Sequence, residues 1–369
     1  MKRLGISIYP EHFTLERDKA YLRLAGSYGF KRVFTCLLSV NGDPRHLKAR
    51  FAELNGYAKQ LGMEVVVDVA PRVFQTLGIS YEDLSFFHEI GADGVRLDIG
   101  FSGLEESVMT FNPYGLKIEL NMSNATKYLE NIMSYQPNSS RIWGCHNFYP
   151  HRYTGLSYAH FIECSQMFKE KGIRTAAFVT SHSATFGPWP VMEGLCTLEM
   201  HRELPITVQA KHLFATGLID DVIIGNAYAS EEELRALSRI NPELLSFTVE
   251  LAEGTSALER KVVLEEAHLY RGDVSDYMVR STHTRKKYKE MSFPAHDTVE
   301  IERGDLLIDN ELYGQYKGEL QIALKPMKNS GKTNVVGRIV SEELFLLDYL
   351  KPWDKFAFVA KENQAERNL

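Results

Sequence analysis

The chain has little cysteine, little excess of either charge and no long apolar run, and each shortage excludes something. Cys36, Cys145, Cys164 and Cys196 are the 4 cysteines in 369 residues, and no two form a C-x-x-C pair. Neither a disulfide framework nor a cysteine-built zinc site is expected. The 42 Lys and Arg against 48 Asp and Glu give a formal charge of −6. That sign argues against nucleic acid or an anionic membrane surface as partner, since both call for a basic face. No stretch approaches the roughly 18 apolar residues of a membrane span. The opening "MKRLGISIYPEHF" breaks its apolar run at Pro10, Glu11 and His12, which predicts a first strand rather than a secretory signal, and hence a cytoplasmic protein.

Catalytic signatures are missing as well. There is no G-x-G-x-x-G or Walker sequence, no H-E-x-x-H or H-x-H at a strand end, and no G-x-S-x-G elbow. No cofactor and no metal are therefore expected, nor a serine hydrolase of the elbow type.

What the sequence does have is a rhythm. The short β-rich runs "LGISIY", "RVFTCLL", "MEVVVDVAP", "DGVRLDIG", "LKIELNM", "RIWGCHNF", "RTAAFVTSH" and "DDVIIGNAY" alternate with helix-length segments. Candidate cap Asp43 and Pro44 open a helix with Leu47, Phe51, Leu54, Ala58 and Leu61 on one face, and Gly62 ends it. Ser80 to Asp83 and Ser230 to Glu233 have capping-box spacing. Eight such units in about 240 residues predict an α/β fold, a TIM (β/α)8 barrel over residues 1–241, where a doubly wound sheet would more often stop sooner. Beyond it, "LLSFTVELA", "KVVLEEAHLYRGD", "DYMVRSTHT", "DTVEIERGDLLIDN", "GELQIALKP" and "VVGRIV" read as strands. They predict a smaller β-rich domain over residues 242–369, with a helix near "EELFLLDYL" and a frayed tail "KENQAERNL".

In a TIM barrel, function collects at the C-terminal strand ends. Side-chain parity then gives candidates: Ser7, Tyr9 and Glu11 on the first strand, Val66 and Asp68 on the third, Arg96 and Asp98 on the fourth, Lys117, Glu119 and Asn121 on the fifth. His146 and Asn147 close the sixth, Ser181 and His182 the seventh, Asn226 the eighth. Asp98 and Glu119 are the expected catalytic pair. They sit on adjacent strands, each with a basic residue two positions earlier, and two carboxyl groups in unequal surroundings are the equipment of glycoside cleavage. The competing structural expectation is that Arg96 with Asp98 and Lys117 with Glu119 are salt bridges filling the barrel. Glu11 and Asp68 are reserves.

Tyr9, Trp143, Asn147, Phe148, Tyr149 and Trp189 would give the rim rings and amides that suit a sugar. A phosphate is expected near the seventh strand, at Ser181, Ser183, Thr185 and the backbone near Gly187, with Arg72, Arg202 and Lys211 as nearby cations. Two rival readings remain at this point: a phosphosugar isomerase or aldolase-type barrel with Lys117 as Schiff-base lysine, and a sugar-binding protein without turnover.

The stretches "LGISIYPEH", "KRVFTCLLSV", "VDVAPRVF", "GADGVRLDIGF", "LKIELNMSN", "GCHNFYPHRYTGLS", "FGPWPVMEGLCTLEMHR", "IDDVIIGNAYAS" and "RGDVSDYMVRST" together resemble the bacterial 6-phospho-N-acetylmuramidase family, over essentially the whole chain. The resemblance implies an intracellular, exo-acting glycoside hydrolase of cell-wall recycling. Its substrate would be the phosphorylated disaccharide N-acetylmuramic acid 6-phosphate-β-1,4-N-acetylglucosamine, and its second domain a cyclophilin-like β-barrel. Within that second domain, Arg280 and Arg285 are candidates to meet the phosphate or the lactyl carboxylate.

Overall fold

Along Glu64–Val69, residues Val65, Val67 and Val69 pack among helix side chains such as Leu54, while Val66 and Asp68 take the other face. Residues 65–69 are all buried. Burial on both faces is what makes a barrel strand read as a nearly continuous apolar run. The computed structural model describes residues 1–37 and 44–361. In it the same division repeats around β1 (Arg3–Ile8), β2 (Arg32–Cys36), β3 (Glu64–Val69), β4 (Gly94–Leu97), β5 (Lys117–Asn121), β6 (Ile142–Cys145), β7 (Arg174–Val179) and β8 (Asp221–Ile224). Neighbours pair in parallel in chain order, and β1 also pairs with β8, so the eight strands close into the expected TIM-type barrel.

Helices lie between the strands. Pro44–Gln60 buries Phe51, Leu54 and Ala58 completely on one stripe. Taking each of the two large side chains out of water stabilises the docked helix by roughly 1.5–3 kcal/mol. Asp43, its expected cap, lies outside the described residues. Ser230 and Glu233 form the expected capping box ahead of Glu231–Ser238. Ser80 and Asp83 do not form one: they face each other across an isolated bridge, and the helix that follows, Ser85–Glu89, has only 5 residues.

The chain divides into two compact units, Met1–Ile240 and Asn241–Leu369. The second is built on β9 (Leu245–Leu251), β10 (His268–Leu269), β11 (Met278–Ser281), β12 (Asp305–Asp309), β13 (Leu320–Ala323), β14 (Thr333–Ile339) and β15 (Lys355–Ala360). They form a 7-stranded mixed sheet in the order β10-β15-β9-β14-β12-β13-β11. "KVVL", expected as a strand, instead ends the helix Ala257–Leu264. The Ser256–Glu259 capping box fixes that helix's start, and Glu259, Val262 and Val263 form its buried face. β15 lies in a stretch not expected to be a strand, and it pairs parallel to β9. The expected tail falls almost wholly in residues 362–369, outside the described residues. Among the described residues no helix is long and apolar enough to cross a membrane.

Candidate active site

Strand parity aims Asp68 and Arg96 into the barrel, and β4 ends one residue before Asp98. At that mouth Arg96 is the hub. Its Nη1 donates to Asp68 Oδ1 at 2.5 Å and stands 3.5 Å from Asp98 Oδ1, and its Nη2 donates to Asn147 Oδ1. Asn121 closes the ring from β5, with Nδ2 donating to the Asp98 carbonyl at 3.0 Å. On the far side of Asp68, Cys36 Sγ lies 3.8 Å from Oδ2.

The two aspartates live in unequal surroundings. Asp68 is 3% exposed and Arg96 2%. Burial pushes the Asp68 carboxyl up to about 7, against the pull of Arg96 and helped by the nearby Asp98. One guanidinium cannot balance two carboxylates, so the trio is electrically neutral when Asp68 keeps its proton. The Asp98 side chain is 31% exposed and looks onto open space. It lines a cavity of about 180 Å³ with Asp68, Arg96, Asn147 and Trp189. It also lines one of about 410 Å³ with Arg72, Ile99 and Trp189, and one of about 300 Å³ with Ile99, Asn121, Asn124, Thr126 and Tyr128.

The loop that carries Asp98 is held from behind by Glu106, which is fully buried. Its Oε1 accepts from Phe101 N and Tyr128 Oη, and its Oε2 accepts from Gly103 N at 2.7 Å. This brace needs a glycine at position 100, because a Cβ there would meet Tyr128 Oη at 1.8 Å.

Models of the 6-phospho-N-acetylmuramidase N-terminal and C-terminal regions match residues 4–239 and 245–359. The chain belongs to the 6-phospho-N-acetylmuramidase family. Among solved structures similar to this family member, an uncharacterised B. cereus protein is 57% identical over 97% of this chain and 100% of its own, with a TM-score of 0.91. A conserved Enterococcus faecalis protein of unknown function is 26% identical over 99% of this chain and 98% of its own, with a TM-score of 0.74. No curated protein matches.

In this member of the 6-phospho-N-acetylmuramidase family, Glu119 departs from expectation. It is fully buried, ion-paired to Arg32, and lines none of the three cavities. Arg32 Nη1 also donates to Asp221 Oδ2 at 2.8 Å, and Asp221 further accepts from Arg3 and Arg174. Arg3, Arg32, Arg174 and Asp221 are each the first residue of their strand, so Glu119 joins an ionic layer reaching up from the barrel's N-terminal end. The salt-bridge expectation was right for Glu119 and wrong about its partner. Lys117 instead donates to the Ser140 carbonyl at 3.2 Å, from the first position of β5 and far from the mouth.

Other expected contacts also turn elsewhere. His146 is fully buried, 2.9 Å from Ser165 Oγ of the helix Tyr158–Lys169 and against Phe161, and burial pushes its imidazole down to about 3. It shares the outward parity of Ile142, not the inward parity of Cys145. Ser181 N donates to Asn226 Oδ1 and Asn226 Nδ2 to Ser181 O, both at 2.8 Å, which ties two loops together. The expected phosphate position at β7 is occupied from within: Ser181 Oγ at 2.6 Å, Ser183 Oγ and His182 N at 3.0 Å all donate to the Glu233 carboxylate. Arg202 is paired with Glu199 at 2.7 Å, and Lys211 is buried in the helix Ile206–Ala215.

Tyr9 is buried and donates to the Gly225 carbonyl, Tyr149 bonds through its backbone to Cys196, and Glu11 is half-buried; none of the three lines these cavities. In the second unit Arg280 and Arg285 converge on Glu319, at 2.7 and 2.9 Å. Asp68, Asn121, Asn147 and Trp189 line the cavities with Asp98, and so does Arg72, which was expected beside the loop after β7. Arg32 and Cys36 were not anticipated, although both have the inward parity of Phe34; Asn124, Thr126 and Tyr128 lie past β5, where strand parity gives no guide.

Proposed function

We propose that the chain is an exo-acting glycoside hydrolase that splits N-acetylmuramic acid 6-phosphate from N-acetylglucosamine at a β-1,4 link, with Asp68 as general acid and Asp98 as the second carboxyl group. The observation that carries this reading is the unequal pair on Arg96: one aspartate is buried and protonated up to about pH 7, and the other is open to every arm of the cleft. A carboxylic acid with its pKa near neutrality is suited to protonate a leaving oxygen.

Both aspartate oxygens lie near one nitrogen, at 2.5 and 3.5 Å, so they are at most about 6 Å apart. Separations of about 5–5.5 Å belong to retaining enzymes and about 6.5–9.5 Å to inverting ones. The spacing favours a double displacement. Asp68 gives its proton to the glycosidic oxygen as the bond to the anomeric carbon breaks, and an Asp98 oxygen bonds that carbon. Water then attacks the same carbon, its proton passes to Asp68, and Asp98 is released. Arg96 fixes both carboxyl groups throughout. The sugar faces stack against Trp189, which is exposed in the cleft wall. We assign the proposed step to the cytoplasm, within cell-wall recycling.

The test is to incubate the protein with the phosphorylated disaccharide and measure free N-acetylglucosamine. Release is expected. No release overturns the substrate assignment.

A further inference from the structure

Of the three cavities that Asp98 lines, the two larger differ in chemistry. One, of about 410 Å³, is walled by Ala70, Pro71, Arg72, Ile99 and Trp189. Among the described residues its charged groups are Arg72 and Asp98 itself. The other, of about 300 Å³, is walled by Asn121, Asn124, Thr126 and Tyr128 with the loop 99–101. Apart from Asp98 its polar side chains among the described residues are amides and hydroxyls, with no side chain of either charge. Ile99 belongs to both arms and is 65% exposed, so an apolar ridge beside Asp98 divides them.

The loops after β7 and β8 leave a phosphate little room. In this fold phosphate is commonly held by the loops after strands seven and eight. Here Glu233 takes those donors: Ser181 Oγ at 2.6 Å, Ser183 Oγ, His182 N at 3.0 Å and Ser230 N at 3.1 Å. Burial works against this carboxylate, yet the two serine hydroxyls hold it below its usual range. An incoming phosphate would have to displace an anion already bonded there.

We infer that the arm with Arg72 and Trp189 binds the anion-bearing sugar, that the arm with Asn121, Asn124, Thr126 and Tyr128 binds the uncharged N-acetylated sugar, and that Ile99 marks the bond between them. The assignment rests on the proposed disaccharide as substrate. A guanidinium suits a phosphate or carboxylate, which it meets with paired N–H groups. Amides and hydroxyls at a wall suit hydroxyls and an acetamido group, which need both donors and acceptors. Asp98 at the junction faces the anomeric carbon of whatever spans the two arms.

Calorimetric titration with the two product sugars separately tests this without turnover. N-acetylmuramic acid 6-phosphate and N-acetylglucosamine are each titrated into wild type, Arg72→Gln and Asn124→Ala. Arg72→Gln is expected to weaken the sugar phosphate by about tenfold or more, the loss typical of a charge-assisted hydrogen bond, and to leave N-acetylglucosamine unchanged. Asn124→Ala is expected to do the reverse. Wild-type binding of both sugars with Arg72→Gln affecting neither, or both alike, overturns the arm assignment alone. Wild-type binding of neither sugar overturns the substrate reading and the assignment together.

Discussion

Asp68 and Asp98 converge on a single nitrogen: Nη1 of Arg96 stands 2.5 Å from an oxygen of the first and 3.5 Å from an oxygen of the second. They differ in burial, not in chemical type. That difference gives one the character of an acid and leaves the other facing the cleft.

The rate of disaccharide cleavage should follow the protonated form of Asp68. With its carboxyl pushed up to about 7 by burial, kcat/KM should fall as pH rises through that value. Asp68→Asn should lower kcat/KM by about 10²–10⁴ and abolish this limb of the profile. A wild-type rate that holds flat from pH 6 to 9 contradicts the role.

The same shift has a consequence for stability. Between the ordinary carboxyl range near 3.8 and about 7, the folded state holds a proton on Asp68 that the unfolded chain has lost. Folding therefore weakens as pH rises across this window. Asp68→Asn removes the dependence, so chemical denaturation should show the variant gaining on wild type between pH 5 and pH 7.5. A constant gap contradicts the shift.

The two carboxyl oxygens that meet Arg96 Nη1 lie at most about 6 Å apart, which favours the retaining arrangement over one with a water between Asp98 and the anomeric carbon. Proton NMR of the nascent N-acetylmuramic acid 6-phosphate should show the β anomer first. The α anomer appearing first would mean inversion.

Arg32 and Glu119 are both about fully buried, and Arg32 also serves Asp221. Arg32→Met leaves the Glu119 carboxylate without its partner and should cost about 3–5 kcal/mol of stability. Denaturant titration checks it, and a loss under 1 kcal/mol would contradict the ionic layer.

These distinctions show what the sequence conveys. The eight barrel strands were legible because inner and outer faces are both dry, which gives each strand a recognisable apolar run. Parity tells which face a side chain takes, and it placed Asp68, Arg96 and Asn121 correctly. It does not tell depth. Glu119 and Asn121 share a face but differ by about 6.6 Å along the strand, and only Asn121 reaches the cavity. His146, Ser181 and Asn226 were expected from position at a strand end, although each has the outward parity of Ile142, Val179 and Ile224 respectively. Glu233's occupation of the β7 serines depends on two loops meeting in space, which no local pattern encodes. The capping box was legible, and the second use of its glutamate was not.

The most direct measurement is kcat/KM on the phosphorylated disaccharide for Asp98→Asn beside Glu119→Gln, each corrected for the folded fraction. The two-aspartate site predicts a fall of about 10²–10⁴ for Asp98→Asn and a value within about tenfold of wild type for Glu119→Gln. Asp98→Asn within tenfold of wild type, or a collapse confined to Glu119→Gln, would contradict it.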